Sequence, residues 1–440
     1  MSRILIDLGP LRESRGFRFL FAGQLVGVFG SQLTMVAIPF QVYTLTRSSL
    51  QVGAVSLAQL GPLIVGALIG GPVGDAVDRR VILAVTSLML ALTSGALAVN
   101  AVSAHPSLVA VYVVSAAAAG VGGMASTAST AAVPPLVGPH NLVAAYASMQ
   151  VTDQVGLVVG PALAGLLIEA VHLQWVYALA AIIYLLTAVT VVRIPAIPPA
   201  PGAGRPGLGS IAEGLRYLRG RQALQGAYLI DLSAMVFGMP RALFPALAAS
   251  VFHGGASTLG YLYAAPAAGA LVGALTTGWL ARVHRQGWAV IAAVCVWGAA
   301  IVAFGLVTVL WIALALLAVA GWADVISAVL RSTILQASVS EEFRSRISSV
   351  HIAVVEGGPR LGDLESGAVA SLVSTEFAIV SGGLACIAGA VLLAGLLPGF
   401  RHYGRPGPGP GSPPEAPPAA DARHMTCCGD ERLGPDDRSA

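Results

Sequence analysis

Apolar stretches of the length that spans a membrane recur along almost the whole chain. About 20 apolar residues cross the hydrocarbon core of a bilayer as an α-helix. Mean hydropathy is +0.80 and only 10% of residues are charged, which excludes a soluble domain of this size. We therefore predict an all-α membrane protein with twelve transmembrane helices. The predicted spans are 18–42, 51–73, 81–102, 107–132, 144–168, 174–193, 225–248, 257–280, 288–307, 310–335, 347–372 and 376–398.

The distribution of arginine predicts the orientation of these spans. All 24 basic residues are arginine. With a cytoplasmic N-terminus, nearly all of them fall in the tails and the cytoplasmic loops, whereas Arg47 falls outside. Arg241, Arg331 and Arg360 lie within spans. Because basic residues concentrate on the cytoplasmic side, both termini are expected there. The absence of lysine also excludes a P-loop nucleotide motor in this chain.

A Pro/Gly-rich break separates six spans from six. Ser210 and Glu213 form a capping-box pattern in this break, which predicts a short amphipathic helix, either at the membrane surface or in solvent. After Tyr403 the composition turns to Pro, Gly, Ala and charge, which is typical of disorder. The predicted organisation is an N-terminal six-helix bundle (1–193), a cytoplasmic linker (194–224), a C-terminal six-helix bundle (225–403) and a disordered cytoplasmic tail (404–440).

The two halves carry a weak internal repeat. Gly160-Pro161 in the fifth span matches Gly358-Pro359 in the eleventh, and this alignment places Asp153 opposite His351. Internal repeats of this kind are common in transporters, whose binding sites lie between the repeats. The repeat predicts two pseudo-symmetric bundles with a central cavity between them.

Ionisable residues inside spans are costly in lipid and therefore mark the protein interior. Asp153 and Asp231 have no basic residue nearby within their own spans, and Glu356 lies in the eleventh span. Carboxylates in such places can take up and release protons. We predict that these three acids take part in proton coupling. The alternative is a structural carboxylate that hydrogen-bonds a neighbouring helix.

A second set of charges predicts a network within the last spans. Arg360 lies one helical turn from both Glu356 and Asp363, so the three can pair on one helix. Asp324 and Arg331 share a face of the tenth span, and Arg331 is a candidate for the cytoplasmic gate. The predicted charge network is Asp324, Arg331, Arg360 and Asp363.

Three glutamines within spans are candidates for the substrate cavity. They are Gln32 in the first span, Gln59 in the second and Gln154 in the fifth. Each could bridge two helices instead.

The loop between the second and third spans resembles motif A of the major facilitator superfamily. The matching residues of this predicted gate are Gly71, Asp75, Arg79 and Arg80. Ala76 stands where the motif usually has arginine, and Asp78 where it has glycine. These departures affect one contact of the family's cytoplasmic charge network. Asp78 is expected to cap the start of the third span.

The fifth span resembles motif C, which in the superfamily is typical of exporters. The matching residues are Gly156, Gly160, Pro161 and Gly165. Gly156 and Gly160, with Ala164, form a small face that permits close helix packing, and Pro161 can kink the span.

Segments 17–24, 238–245 and 358–363 are similar to the enterobactin-exporter-like branch of the same superfamily. The resemblance extends over nearly all of residues 10–403. It implies twelve helices, alternating access and proton-driven efflux, but it does not identify the substrate.

We accordingly expect a plasma-membrane (inner-membrane) antiporter that exports a small amphipathic molecule, drug-like or siderophore-like, against proton entry. Its expected partners are that substrate, protons and the lipid bilayer, and we expect a monomer. No enzymatic activity, cofactor, metal or nucleic-acid partner is expected. The alternatives are a facilitator or importer of a small metabolite, and a non-transporting membrane receptor that kept the fold.

Overall fold

The structure is a computed structural model. It describes residues 9–197, 213, 216–339 and 343–404, without the side chains of Asp75, Ala281 and several residues between 344 and 353. Regular secondary structure in these ranges is helical throughout. The predicted linker helix at 210–221 and the predicted disordered tail lie largely outside the described residues.

Twelve helices in the described ranges have 16 residues or more, and we label them α1 to α12 in chain order. They are α1 (Arg15–Thr46), α2 (Ser49–Ala76), α3 (Arg79–Val102), α4 (Leu108–Leu136), α5 (Leu142–Val171), α6 (Leu173–Val192), α7 (Gln222–Phe237), α8 (Ala256–Thr276), α9 (Gln286–Gly305), α10 (Leu310–Ser338), α11 (Arg344–Leu372) and α12 (Thr375–Leu396). Short helices cover Gly9–Glu13, Phe244–Ser250 and Pro398–Arg401, and 3₁₀ turns cover Pro139–Asn141, Arg241–Leu243 and Thr277–Arg282.

Eleven helical segments of the described chain are long and apolar enough to cross a membrane. The remaining long helix, α11, has 29 residues and is therefore about 44 Å long, more than a bilayer core requires. Its composition keeps it out of these eleven segments, since its polar and charged residues include His351, Glu356 and Arg360. Polar residues of this kind are expected on a helix that faces the protein interior.

Side-chain caps fix where several helices begin. Ser14, Ser48, Ser107 and Ser374 each accept a hydrogen bond from a backbone amide in the first turn of α1, α2, α4 and α12. Asp78 does the same for α3, accepting from the Arg80 amide at 2.9 Å. Such caps satisfy amides that have no partner inside the helix. The predicted cap at Asp78 is confirmed.

The seventh predicted span is broken rather than continuous. After α7 the chain passes through Gly238 and Pro240 into a 3₁₀ turn and then the short helix Phe244–Ser250. Proline lacks a backbone donor and disfavours a helical residue before it, which accounts for the break. The indole nitrogen of Trp297 donates to the Gly238 carbonyl at 3.0 Å and replaces the missing helical hydrogen bond.

Helices pack mainly within the first six and within the last six. In the first set α1 packs on α5 and α6, α2 on α4, and α3 on α4 and α6. In the second set α7 packs on α11 and α12, α8 on α10, and α9 on α10 and α12. Two extensive contacts join the sets, α2 with α11 and α5 with α8, and we call these the two seams.

Small residues allow the helices to approach closely at both seams. A Cβ atom at Gly367 of α11 would lie 2.6 Å from the Ser49 carbonyl oxygen of α2. One at Gly260 of α8 would lie 3.0 Å from the Gly165 Cα of α5. Larger side chains would force these helices apart, because backbone packs directly on backbone at each contact.

Candidate functional site

A cavity of about 860 Å³ lies between the two sets of helices. It reaches the starts of α3 and α5, where Leu83 and Tyr146 contribute to its wall. Five of the predicted site residues line it, and so do Gln24, Gln150 and Arg241, which were not predicted as cavity residues. The five predicted ones are Gln59, Asp153, Glu356, Arg360 and Asp363. The wall thus combines charge with hydroxyl, amide and apolar groups, as a site for an amphipathic ligand requires.

Asp153 lies half-buried on α5 with a neutral partner. The side-chain amide of Gln24, on α1, donates to Asp153 Oδ1 at 3.0 Å. Among the described residues, Asp153 forms no ion pair with a basic side chain. A carboxylate that faces a cavity and is not itself paired with a cation can change its protonation state without breaking a salt bridge.

On α11 the predicted pair of Glu356 and Arg360 is formed. Arg360 Nη1 lies 3.0 Å from Glu356 Oε2, and it also donates to the Glu356 carbonyl oxygen at 2.6 Å. Asp363 instead accepts a hydrogen bond from the Ser56 hydroxyl at 2.6 Å. Ser56 belongs to α2, so this bond crosses a seam.

Asp231 finds its basic partner on another helix. It forms an ion pair with Arg331 of α10, and both residues are buried. Arg331 Nε also donates to the Ser327 carbonyl oxygen. Neither Asp231 nor Arg331 belongs to the described lining of the cavity. The two side chains thus form a buried ion pair between α7 and α10.

Arg331 pairs with Asp231 and not with Asp324, which lines a smaller cavity of about 200 Å³. The walls of this second cavity are mainly apolar, with Phe244, Tyr263 and Trp297 among them. Arg241 lines both cavities, since it sits in the 3₁₀ turn after the broken helix. Pro240 was the signal in the sequence that could have placed Arg241 at an interruption, where a side chain can project between helices.

The motif C residues lie where α5 meets two other helices. Gly156 faces Val28 and Gly160 faces Gln32, both on α1. Gly165 faces Gly260 of α8, on the opposite side of a seam. The small face therefore serves close packing both within the first six helices and between the two sets.

Motif A ties the turn between α2 and α3 to the rest of the first set. Arg79 Nη1 donates to the Ala131 carbonyl oxygen of α4 at 3.0 Å. Asp78 Oδ1 accepts from the Ile197 amide at 3.1 Å, in the segment that follows α6. Arg80 lies near the Ile194 carbonyl, and Gly71 lies within α2. The Asp75 side chain lies outside the described part of the structure.

The three predicted cavity glutamines occupy different surroundings. Gln59 lines the main cavity, whereas Gln32 is buried against Gly160 and Gln154 lies outside the described lining. His351, the counterpart of Asp153 in the repeat, also lies outside that lining, with its ring 6.3 Å from that of Tyr228. Within the described ranges, no group of three His, Cys, Asp or Glu side chains could hold a metal ion.

Two relatives that match this chain over nearly their whole length are exporters. It is 30% identical over 410 residues to the enterobactin exporter EntS of Citrobacter koseri. This alignment covers 93% of this chain and 98% of the relative. It is also 30% identical over 399 residues to the enterobactin exporter EntS of Escherichia coli K12. That alignment covers 91% of this chain and 96% of the relative.

Solved structures of transporters share the fold. The nucleoside transporter NupG superposes with a TM-score of 0.68 at 14% identity, covering 88% of this chain and 100% of that one. A bacterial homologue of the human lysosomal transporter Spinster gives 0.64 at 15% identity, covering 88% and 95%. At this identity the likeness concerns the fold alone.

The family model described as transmembrane secretion effector matches residues 6–401. Together with the full-length exporter relatives and the apolar helices, this match makes the chain a multi-pass membrane transporter and not an enzyme. The chain belongs to the transmembrane secretion effector family of the major facilitator superfamily.

Proposed function

We propose that this transporter exports a small amphipathic molecule, drug-like or siderophore-like, from the cytoplasm by proton antiport with alternating access. The observation that carries the proposal is the cavity of about 860 Å³ between the two sets of helices, with Asp153 in its wall. The enterobactin exporters that match nearly the whole chain support the direction of transport and place siderophores among the candidate substrates.

Alternating access requires the two halves to rock about a central site. The position of the described seam contacts along the helices supports such a motion. The glycine contacts described above join the start of α2 to the end of α11, and the end of α5 to the start of α8. In the arginine-based orientation all these termini lie on the outer side, while the cavity reaches the cytoplasmic starts of α3 and α5. The described conformation is then inward-facing.

The proposal includes twelve transmembrane helices in two six-helix bundles, with α11 as the additional crossing. α11 packs on α2, α7 and α12, so its polar residues can be shielded from lipid by protein. The protein acts in the inner membrane as a monomer, and the motif A residues Gly71, Asp75, Arg79 and Arg80 form part of the cytoplasmic gate.

Reporter fusions test the topology. A cytoplasmic reporter fused after Arg221 or after Tyr403 should be active, because arginine-rich segments remain inside. The same reporter placed at Arg47 should be silent, and a reporter that works only outside should give the opposite pattern. Activity of the outside reporter at Arg221 would overturn the orientation and, with it, the inward-facing assignment.

An efflux panel tests the direction and the energy source. Cells that lack their own pumps would be loaded with enterobactin, another siderophore, a macrolide or an amphipathic dye, with and without a protonophore. We expect the expressing cells to retain less of at least one compound, and we expect the protonophore to abolish this difference. Cells that express a frameshifted gene are the control. Higher retention in expressing cells would show import, and efflux that survives the protonophore would exclude proton coupling.

A further inference from the structure

A hydrogen bond to a carboxylate crosses each of the two seams. At the first seam, Ser56 of α2 donates from its hydroxyl to Asp363 of α11 at 2.6 Å. At the second, the Ser257 amide at the start of α8 donates to Glu169 Oε2 of α5 at 3.0 Å. The first acceptor belongs to the last six helices and the second to the first six. A bond to a charged acceptor is stronger than one between neutral groups. The first bond is partly buried, whereas the second is exposed, so water weakens the second one.

The bond at the first seam is enclosed by close packing. Asp363 is buried, and a Cβ at Gly53, less than one turn before Ser56, would overlap the Asp363 carbonyl group. One turn further along α11, Gly367 packs on Ser49 in the same way. If the two helices separate, Asp363 loses both its partner and its shielding. The bond can therefore form only while this seam is closed.

The bond at the second seam completes a helix that lacks its own cap. The residue before α8 is Gly255, which has no side chain to cap the helix. Glu169 supplies an acceptor from the opposite set of helices, at the positive end of the α8 dipole. When this seam opens, the first turn of α8 loses its acceptor and its compensating charge.

We propose that Asp363 and Glu169 are latch residues, each of which holds one seam closed in the conformation described here. The proposal rests on the alternating access proposed above. Asp363 also lines the main cavity together with Arg241 and Arg360, and its Oδ1 atom accepts no hydrogen bond from a side chain of the described residues. A proton taken up by Asp363 removes the negative charge from the acceptor of the Ser56 hydroxyl, and this weakens the latch. The positive charges of Arg241 and Arg360 oppose this uptake, because they favour the ionised carboxylate. Asp363 thus acts as a positioning residue that couples the contents of the cavity to the first seam.

Cysteine accessibility measures the latch directly. Ser49, which is buried at the first seam, is replaced by cysteine in a chain whose four native cysteines are changed to alanine. A membrane-impermeant thiol reagent added to intact cells labels this position when the seam opens. We expect Ser56→Ala and Asp363→Ala each to raise the labelling rate about tenfold, because the loss of one such hydrogen bond shifts the equilibrium toward the open seam by about that factor. The double variant should label no faster than Asp363→Ala, because both changes remove the same bond.

The labelling rate of the cysteine at position 49 also tests the second latch. Glu169→Ala should also speed labelling at Ser49Cys, since the two seams open together when the halves rock. Two matched controls are available. Ser366→Ala removes a buried hydroxyl that donates to the Asp363 backbone carbonyl within α11 and does not cross the seam, and Glu376→Ala removes an exposed acid in the first turn of α12. Neither control should change the labelling rate.

A labelling rate for Ser56→Ala equal to that of Ser366→Ala would overturn the first latch. A rate for Glu169→Ala equal to that of Glu376→Ala would overturn the second. If Ser49Cys reacts only after denaturation in every variant, the outer side never opens, and alternating access itself fails. Should the cysteine-free chain not fold, hydrogen exchange at residues 49–56 of the purified wild-type, Ser56→Ala and Ser366→Ala proteins gives the same comparison. Faster exchange in Ser56→Ala alone supports the latch, and equal exchange in all three refutes it.

Discussion

Asp153→Asn should abolish proton-driven uphill transport while substrate binding and downhill exchange persist. The neutral side chain keeps an oxygen that can accept the Gln24 hydrogen bond, so the local geometry is preserved. The asparagine side chain cannot take up or release a proton. One proton moving inward gains about 2.3 kcal/mol per 100 mV, which sustains a substrate ratio of about 50 across the membrane. Without proton exchange this ratio should fall to one.

Proteoliposomes with an imposed pH gradient and membrane potential provide the measurement, once the efflux panel has identified a substrate. Gln154→Asn is the matched control, because Gln154 follows Asp153 directly on α5, lies outside the described cavity lining and carries no titratable group. It should accumulate substrate as the wild type does. Wild-type accumulation by Asp153→Asn would remove this residue from the coupling mechanism and direct attention to Asp231 or Glu356.

The sequence predicts the helices well because their physical cause is local. A run of apolar residues sets the length of each span, and the Asp78 cap lies next to the helix it begins. The interruption after α7 also has a local cause in Pro240. It was nevertheless missed, because the apolar composition continues through Phe244–Ser250 and hides the change in backbone direction.

Pairings between helices are the part that the sequence did not reveal. Glu356 and Arg360 were predicted as a pair because they are neighbours on one helix, and they do pair. Ser56 and Asp363 stand on different helices, so their hydrogen bond depends on how α2 and α11 are rotated and shifted against each other. Gln24 with Asp153 is a similar case. The role of each predicted site residue stays a prediction until the variants are measured.

Arg331→Leu should strongly reduce the stability of the folded protein. Arg331 and Asp231 form a buried ion pair, with 8% and 5% of their side chains exposed. Removing one partner of such a pair leaves an uncompensated charge in the interior and costs about 3–5 kcal/mol. We expect a large fall in the melting temperature of the detergent-solubilised protein and a low yield of monodisperse material. Replacing both partners by leucine should recover much of this stability, because the remaining side chains are then apolar.

Arg360→Leu is the matched control. It removes the same residue type from an ion pair with a carboxylate, but here 20% of Arg360 and 46% of Glu356 are exposed. Solvent screens such a pair, which is worth about 1 kcal/mol or less, so the melting temperature should change little. A melting temperature for Arg331→Leu no lower than that for Arg360→Leu would contradict the structural role of the buried pair.

Asp231→Asn then separates a structural role for this acid from proton coupling. If the Asp231–Arg331 pair is structural, the asparagine variant leaves Arg331 buried without its counter-ion, and its melting temperature falls together with its transport activity. If Asp231 carries a proton, the neutral variant resembles a state that occurs in every transport cycle. It should then stay folded and lose only uphill transport. We expect the first result, because Asp231 lies outside the described cavity lining and Asp153 lies within it.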